Sequence, residues 1–165
     1  MIEDNKSLLE KYLKLPDRLE AAVAGLSESD LDLKQGDGWT IRQYVHHLVE
    51  GENLWQVNLR AVVGTDGIAF PFTWYFALPQ DEWAKRWAYD KRPLGPSLAL
   101  FRANTWNLVE TLRNIPDVWE HFGRVTWRGA EKETCITVRQ IVEMHLGHMD
   151  GHVEDIQAIR VLYQR

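Results

Sequence analysis

The sequence predicts an all-α protein, a four-helix bundle with long inter-helix connections. Three observations carry this. Four stretches place apolar residues at helical spacing, strand signals between them are weak, and two of the stretches begin with nearly the same phrase, TIRQ at Thr40 and TVRQ at Thr137. Amphipathic helices without a sheet to cover must bury their stripes against one another. The 165 residues suit one domain over positions 1–165, long enough to bury a core without disulfides.

The first predicted helix runs from about Asn5 to Gly25, with Leu8, Leu9, Tyr12, Leu13, Leu19, Ala22 and Val23 on one stripe. Pro16 lies inside it and predicts a bend or a break, because proline lacks an N–H and clashes with the preceding turn. LSESDLDLKQGDG then reads as a turn region with room for one short helical turn. The second helix starts at Thr40. Thr40 and Gln43 have the spacing of a capping box, and Trp39 and Tyr44 that of a hydrophobic staple. It extends to about Val63, where Gly64 suits a C-terminal stop.

The third helix is expected from Pro96 to Ile115, with Leu98, Phe101, Thr105, Leu108 and Leu112 at helical spacing and Pro116 ending it. The fourth repeats the second's beginning: Thr137 and Gln140 form the box, Ile136 and Ile141 the staple, and the pattern reaches Tyr163. Between helices two and three, IAFPFTWYFALP is aromatic and proline-interrupted, while QDEWAKRWAYD suits a short helix. HFGRVTWRGAEKETC suits a loop or a small hairpin. These connections exceed what an up-down bundle needs, so they are expected to fold over the bundle or build a binding surface. Phe70, Phe72, Trp74, Tyr75 and Phe76 would form such a contact surface.

The net charge of −5, with no block of Lys or Arg, argues against nucleic acid and anionic membranes as partners. The N-terminus lacks the basic start and apolar core of a signal peptide, and no apolar run is long enough to span a bilayer. One cysteine, Cys135, excludes an internal disulfide and fits a reducing compartment, so a cytoplasmic location is expected. Cys135 reads as a half-buried small residue and His121 as a surface one. The eight tryptophans read as core and interface fillers.

The histidines break this ordinary pattern. On a wheel of about 100° per residue, Val138, Ile141, Val142, Met149, Ile156 and Ile159 define the apolar stripe of the fourth helix, and His145, His148 and His152 fall on it. A buried polar group without a partner costs roughly 1–3 kcal/mol, so three imidazoles on one stripe need something to use their nitrogens. His148 and His152, four apart, can reach one ion from one helix face, and His145 with His148 at i, i+3 is an alternative pair. On the second helix His47 flanks the stripe of Ile41, Tyr44, Val45, Leu48, Trp55 and Leu59, whereas His46 points away and is expected to be solvated or hydrogen-bonded. Glu52 falls near the middle of that stripe, where a carboxylate would orient an imidazole, accept a proton or ligate an ion.

GWTIRQYVHHLVEGE together with ITVRQIVEMHLGHMDGHVEDI resembles the DinB/YfiT-like superfamily. The match is carried by Trp39, Thr40, His47 and Leu48 before and within the second helix, and by His148, His152 and Ile156 in the fourth. It covers the two motif helices, and residues 65–92 align with no family pattern. The resemblance implies a four-helix bundle, commonly dimeric, with His47, His148 and His152 as metal ligands and His145 outside the ligand set. It also implies a divalent ion, zinc or nickel first, and a metal-dependent hydrolase or a transferase of low-molecular-weight thiols such as bacillithiol or mycothiol.

Three neutral imidazoles leave a coordination position open, the mark of a catalytic rather than a structural site. The expected function is therefore an enzyme that activates a thiol or water toward a small electrophile, with Glu52, Glu50 or His145 accepting the proton or orienting a ligand. The alternatives are a hydrolase of a small molecule and a non-catalytic bundle that binds a metal or ligand. The expected partners are a small-molecule substrate and a second copy of the chain.

Overall fold

A computed structural model describes residues 4–165. Helices α1 (Asn5–Leu13) and α2 (Leu15–Val23) form one interrupted rod. The break falls at Lys14, because Pro16 takes the second position of α2, where its missing N–H leaves no helical bond unmade. A single 3-10 turn at Asp30–Asp32 leads to α3 (Ile41–Gly64). The last long helices are α6 (Leu94–Arg113) and α7 (Val138–Leu162). The boundaries agree with the spacing argument to within two residues, and the first rod breaks where Pro16 predicts.

Paired residues fix the directions. Along α7, Arg139 bonds Asn5, His145 bonds Tyr12 and Arg160 bonds the carbonyl of Ala22, so α7 runs parallel to the first rod. Along α6, Ser97 bonds His46, Asn104 bonds Asn53 and Asn107 bonds Arg60, so α6 runs parallel to α3. Between α3 and α7 the order reverses: His47 meets His148, and Glu52 meets His145. The bundle is thus up, down, down, up. Two consecutive long helices that lie parallel cannot be joined by a tight turn. At about 1.5 Å per residue, α3 is ~36 Å long, and the chain must travel back along it before α6 begins.

Residues 65–93 make that return. They hold a two-residue strand β1 (Ile68–Ala69) and two short helices, α4 (Thr73–Phe76) and α5 (Gln80–Arg86). Strand β1 pairs in parallel with β2 (Phe122–Val125), which pairs antiparallel with β3 (Thr134–Thr137). The expected hairpin is present; its extension by β1 had no signal in the sequence, since two residues carry no alternation. Gly123 of β2 has to be a glycine. A Cβ there would stand 2.3 Å from the Phe70 ring and 2.9 Å from Val62 Cγ2.

The core runs the length of the bundle, through Tyr12, Leu19, Ile41, Leu59, Phe101, Leu108, Ile141, Ile156 and others with almost no exposure. Each such aliphatic side chain contributes roughly 1.5–3 kcal/mol by burial. Among the described residues no helix is long and apolar enough to cross a membrane.

Two expectations need correcting here. The aromatic stretch is not an outer contact surface: Phe70, Phe72 and Tyr75 are buried, Phe76 is partly buried, and only Trp74 is substantially exposed. Cys135 is exposed rather than half-buried, because it occupies an outward position of β3. His121 is half-buried and pairs with Asp66 at 3.0 Å.

Candidate metal centre

The two similar phrases build two helix starts with the same geometry. Thr40 Oγ1 accepts from the Gln43 N–H at 3.2 Å, and the Gln43 side chain accepts from the Thr40 N–H at 2.9 Å. The box at Thr137 and Gln140 has the same two distances, 3.2 and 2.9 Å. The staple at Trp39 and Tyr44 closes with ring centroids 5.7 Å apart. These caps set the rotation of α3 and α7, and therefore where their histidines point.

They point at one another. His47 Nε2 lies 3.0 Å from His148 Nε2, and each of His47, His148 and His152 offers a ring nitrogen within 4.8 Å of the other two. The rings meet edge to face, with centroids 4.7–5.1 Å apart. Nitrogens 2.0–2.1 Å from a tetrahedral zinc stand roughly 3.3 Å from each other, so the cluster is at the right scale for one ion. His152 Nδ1 is held by Asp155 at 2.9 Å, which leaves Nε2 for another partner. A carboxylate behind a liganding imidazole is the usual way to orient one.

The electrostatics favour neutral rings. Burial, followed by the nearby His148 and His152, lowers the pKa of His47 to about 3. Burial, followed by His152 and His145, lowers that of His148 to about 4. The His47 and His148 rings are therefore neutral near neutral pH, and each has one lone pair to offer. Trp39 packs against the His47 ring at 4.8 Å, and Tyr44 against the His152 ring at 5.1 Å.

A second polar cluster lies beside the first. Glu52 is buried and accepts from Tyr12 Oη, from Gln56 Nε2 at 3.4 Å and from His145 Nδ1 at 2.9 Å. Burial alone would raise the Glu52 pKa; His145, Tyr12 and Gln56 outweigh it and hold the carboxylate below its ordinary value. Tyr12 stays protonated, because burial and the Glu52 charge push its pKa well up. With Nδ1 engaged, His145 Nε2 is a buried nitrogen without a hydrogen-bond partner. His47, Glu52, His145 and His148 all line one cavity of about 220 Å³. Its other walls come from Trp55 of α3, from Phe72, Tyr75, Phe76 and Gln80 of the returning segment, and from Trp127 after β2.

The structure thus brings together His47, His148 and His152, with Glu52 and His145 next to them. His46 is excluded: it is fully buried, with its nitrogens on Ser97 Oγ and the Arg92 carbonyl, each at 3.0 Å. Of the two surroundings expected for it, solvent or hydrogen-bond partners, it has the second, because α3 is packed by α6 on that side. Three contributors escaped the sequence reading. Asp155 and Gln56 carried a signal, at i+3 from His152 and i+4 from Glu52. Tyr12 was read only as a stripe residue, and nothing local marks it as a partner of Glu52.

A four-helix bundle with a three-imidazole cluster opening beside a cavity defines a class, the metal-centred helical bundles. Within it, the chain belongs to the DinB superfamily, whose sequence profile matches residues 12–156. It is 36% identical over 160 residues to a protein of Geobacillus thermodenitrificans named "Putative metal-dependent hydrolase", covering 96% of this chain and 85% of that one. It is 27% identical over 146 residues to YfiT of Bacillus subtilis, which carries the same designation, covering 87% and 76%. The solved structure of Bacillus subtilis YfiT, described as an unusual four-helix bundle topology, superposes with a TM-score of 0.84 at 20% identity, over 99% of this chain and 90% of that chain.

Proposed function

We propose that this chain is a divalent-metal-dependent enzyme that activates a small nucleophile, a thiol first and water second, toward a small electrophile. The observation that carries this reading is the approach of ring nitrogens from His47, His148 and His152 to one point. On this reading those three residues hold the ion, zinc or nickel. The ion supplies Lewis acidity that favours thiolate or hydroxide near neutrality.

The chain supplies the rest. Glu52 already accepts from three donors, so its part is to hold the His145 ring with Nδ1–H turned toward it. That leaves His145 Nε2 to take the proton released by the nucleophile. In the thiol reaction the sulfur forms the new bond to carbon, the leaving group departs with its electron pair, and the proton ends on Nε2. The naming of the relatives as "Putative metal-dependent hydrolase" supports water as the second nucleophile.

The test is elemental analysis of unchelated protein, followed by turnover of model electrophiles with thiol, without thiol and with chelator. Chelator-sensitive, thiol-dependent turnover supports the transferase, and chelator-sensitive turnover without thiol supports the hydrolase. A bound ion that raises the melting temperature without turnover would reduce the site to a non-catalytic one.

A further inference from the structure

We propose that the substrate of this site is a neutral molecule carrying a flat, aromatic-sized apolar group, held under the returning segment with its reacting atom toward the imidazoles. This rests on the metal reading above for the reaction, but the binding claim stands on the cavity alone. Three observations support it.

The first is shape. The cavity of about 220 Å³ is smaller than the roughly 300–1,000 Å³ of most ligand pockets. It suits a group of one or two fused rings better than a long chain.

The second is the character of the walls. Six aromatic rings border the cavity, Phe101 among them, and the other five contact one another: Trp55 with Phe72 at 4.7 Å and with Trp127 at 5.9 Å, Phe76 with Phe72 at 5.6 Å and with Trp127 at 6.2 Å, and Tyr75 with Phe76 at 5.8 Å. Their edge-to-face and tilted arrangement is the one by which a further ring gains most, since aromatic faces and edges carry opposite partial charge. The segment is held in place from both sides. Trp83 Nε1 donates to the Tyr75 carbonyl at 2.8 Å, and the Phe70 N–H donates to the Arg124 carbonyl at 2.8 Å. A pocket already formed costs little ordering on binding.

The third is charge. Among the described residues no Lys or Arg lines the cavity, and its carboxylate, Glu52, is already engaged by three donors. A phosphate, sulfonate or carboxylate placed among the aromatic rings, away from the imidazoles, would lose its hydration with no Lys or Arg to replace it. Any charged portion of a thiol cosubstrate would therefore lie outside the aromatic pocket.

The experiment is calorimetric titration of the protein as purified with its metal, using 2-naphthol and naphthalene-2-sulfonate. Trp127→Ala removes one wall at a half-buried position, and Trp106→Ala, on the outer face of α6, serves as control. Metal content and circular dichroism are recorded for each variant. The expected result is saturable 2-naphthol binding, at least tenfold weaker binding of the sulfonate, a tenfold or larger loss in Trp127→Ala at unchanged metal content, and no loss in Trp106→Ala. Equal affinity for the two probes, or 2-naphthol binding indifferent to Trp127, overturns the proposal. Protein that carries no stoichiometric ion yet binds 2-naphthol in a Trp127-dependent way refutes the metal reading and upholds this one.

Discussion

His47 Nε2 and His148 Nε2 stand 3.0 Å apart across the antiparallel pair α3 and α7. One proton can lie between two such nitrogens, but two cannot, and a cation satisfies both lone pairs together with His152. Replacing one ring should therefore cost the whole site. His148→Ala is expected to lower bound metal from roughly one ion per chain to none, while His121→Ala leaves it unchanged. Undiminished metal in His148→Ala, read by elemental analysis, refutes the ligand assignment.

Glu52 and Tyr12 form a buried charged hydrogen bond, and each answers for the other. Tyr12→Phe removes a donor from an ionised carboxylate, which is expected to cost about 1.5–3 kcal/mol in urea unfolding. Glu52→Gln should lower turnover while leaving metal content intact, because it releases His145 without touching the three-imidazole point. Loss of metal in Glu52→Gln would instead make Glu52 a ligand.

Acid should weaken the metal-free fold over a defined range. His47 and His148 have pKa values of about 3 and about 4 in the folded chain, against roughly 6.5 when unfolded. Above pH 6.5 both states hold these rings neutral, and the two groups leave stability independent of pH. Below it the unfolded chain takes up protons that the folded one refuses, so stability falls as the pH drops from about 6.5 toward about 3. Urea midpoints of chelated protein measure this, and the slope should flatten in the His47→Ala, His148→Ala double variant.

Gly123 seats the Phe70 ring, and the seat has no room for a methyl group. Gly123→Ala is expected to destabilise by about 1–3 kcal/mol, as overpacking does. Cleavage by a limiting amount of protease within residues 65–93 should accelerate as the aromatic segment is displaced. Unchanged melting and unchanged cleavage would show that the contact is not needed.

Much of the bundle was legible because its signals are local. Thr40 with Gln43, and Thr137 with Gln140, mark helix starts that form as read. The stripe positions of His145, His148 and Glu52 follow from periodicity once those starts are fixed. His47 needed the second helix as well, and the family pattern settled the choice that spacing left between His145 and His152. What stayed hidden depends on distance along the chain. Tyr12 meets Glu52 forty residues away and His145 farther still, and no period connects them. The wheel leaves His46 either solvated or hydrogen-bonded, since it shows one helix; the packing of α6 against α3 selects the hydrogen bonds. The aromatic stretch was misjudged because a run such as Phe70–Phe76 has the same composition whether it faces inward or outward; the pairing of β1 with β2 decides it.

The parallel course of α3 and α6 separates two tasks in the chain. Whatever reaction the imidazoles support, they are anchored in helices whose rotation is set by two threonine caps. The long return that this topology requires hangs between those helices and roofs the chamber. Relatives could therefore exchange the roof to admit different molecules while the hearth beneath it stays fixed, and a graft of residues 65–93 from one bundle onto another should move selectivity without moving the metal.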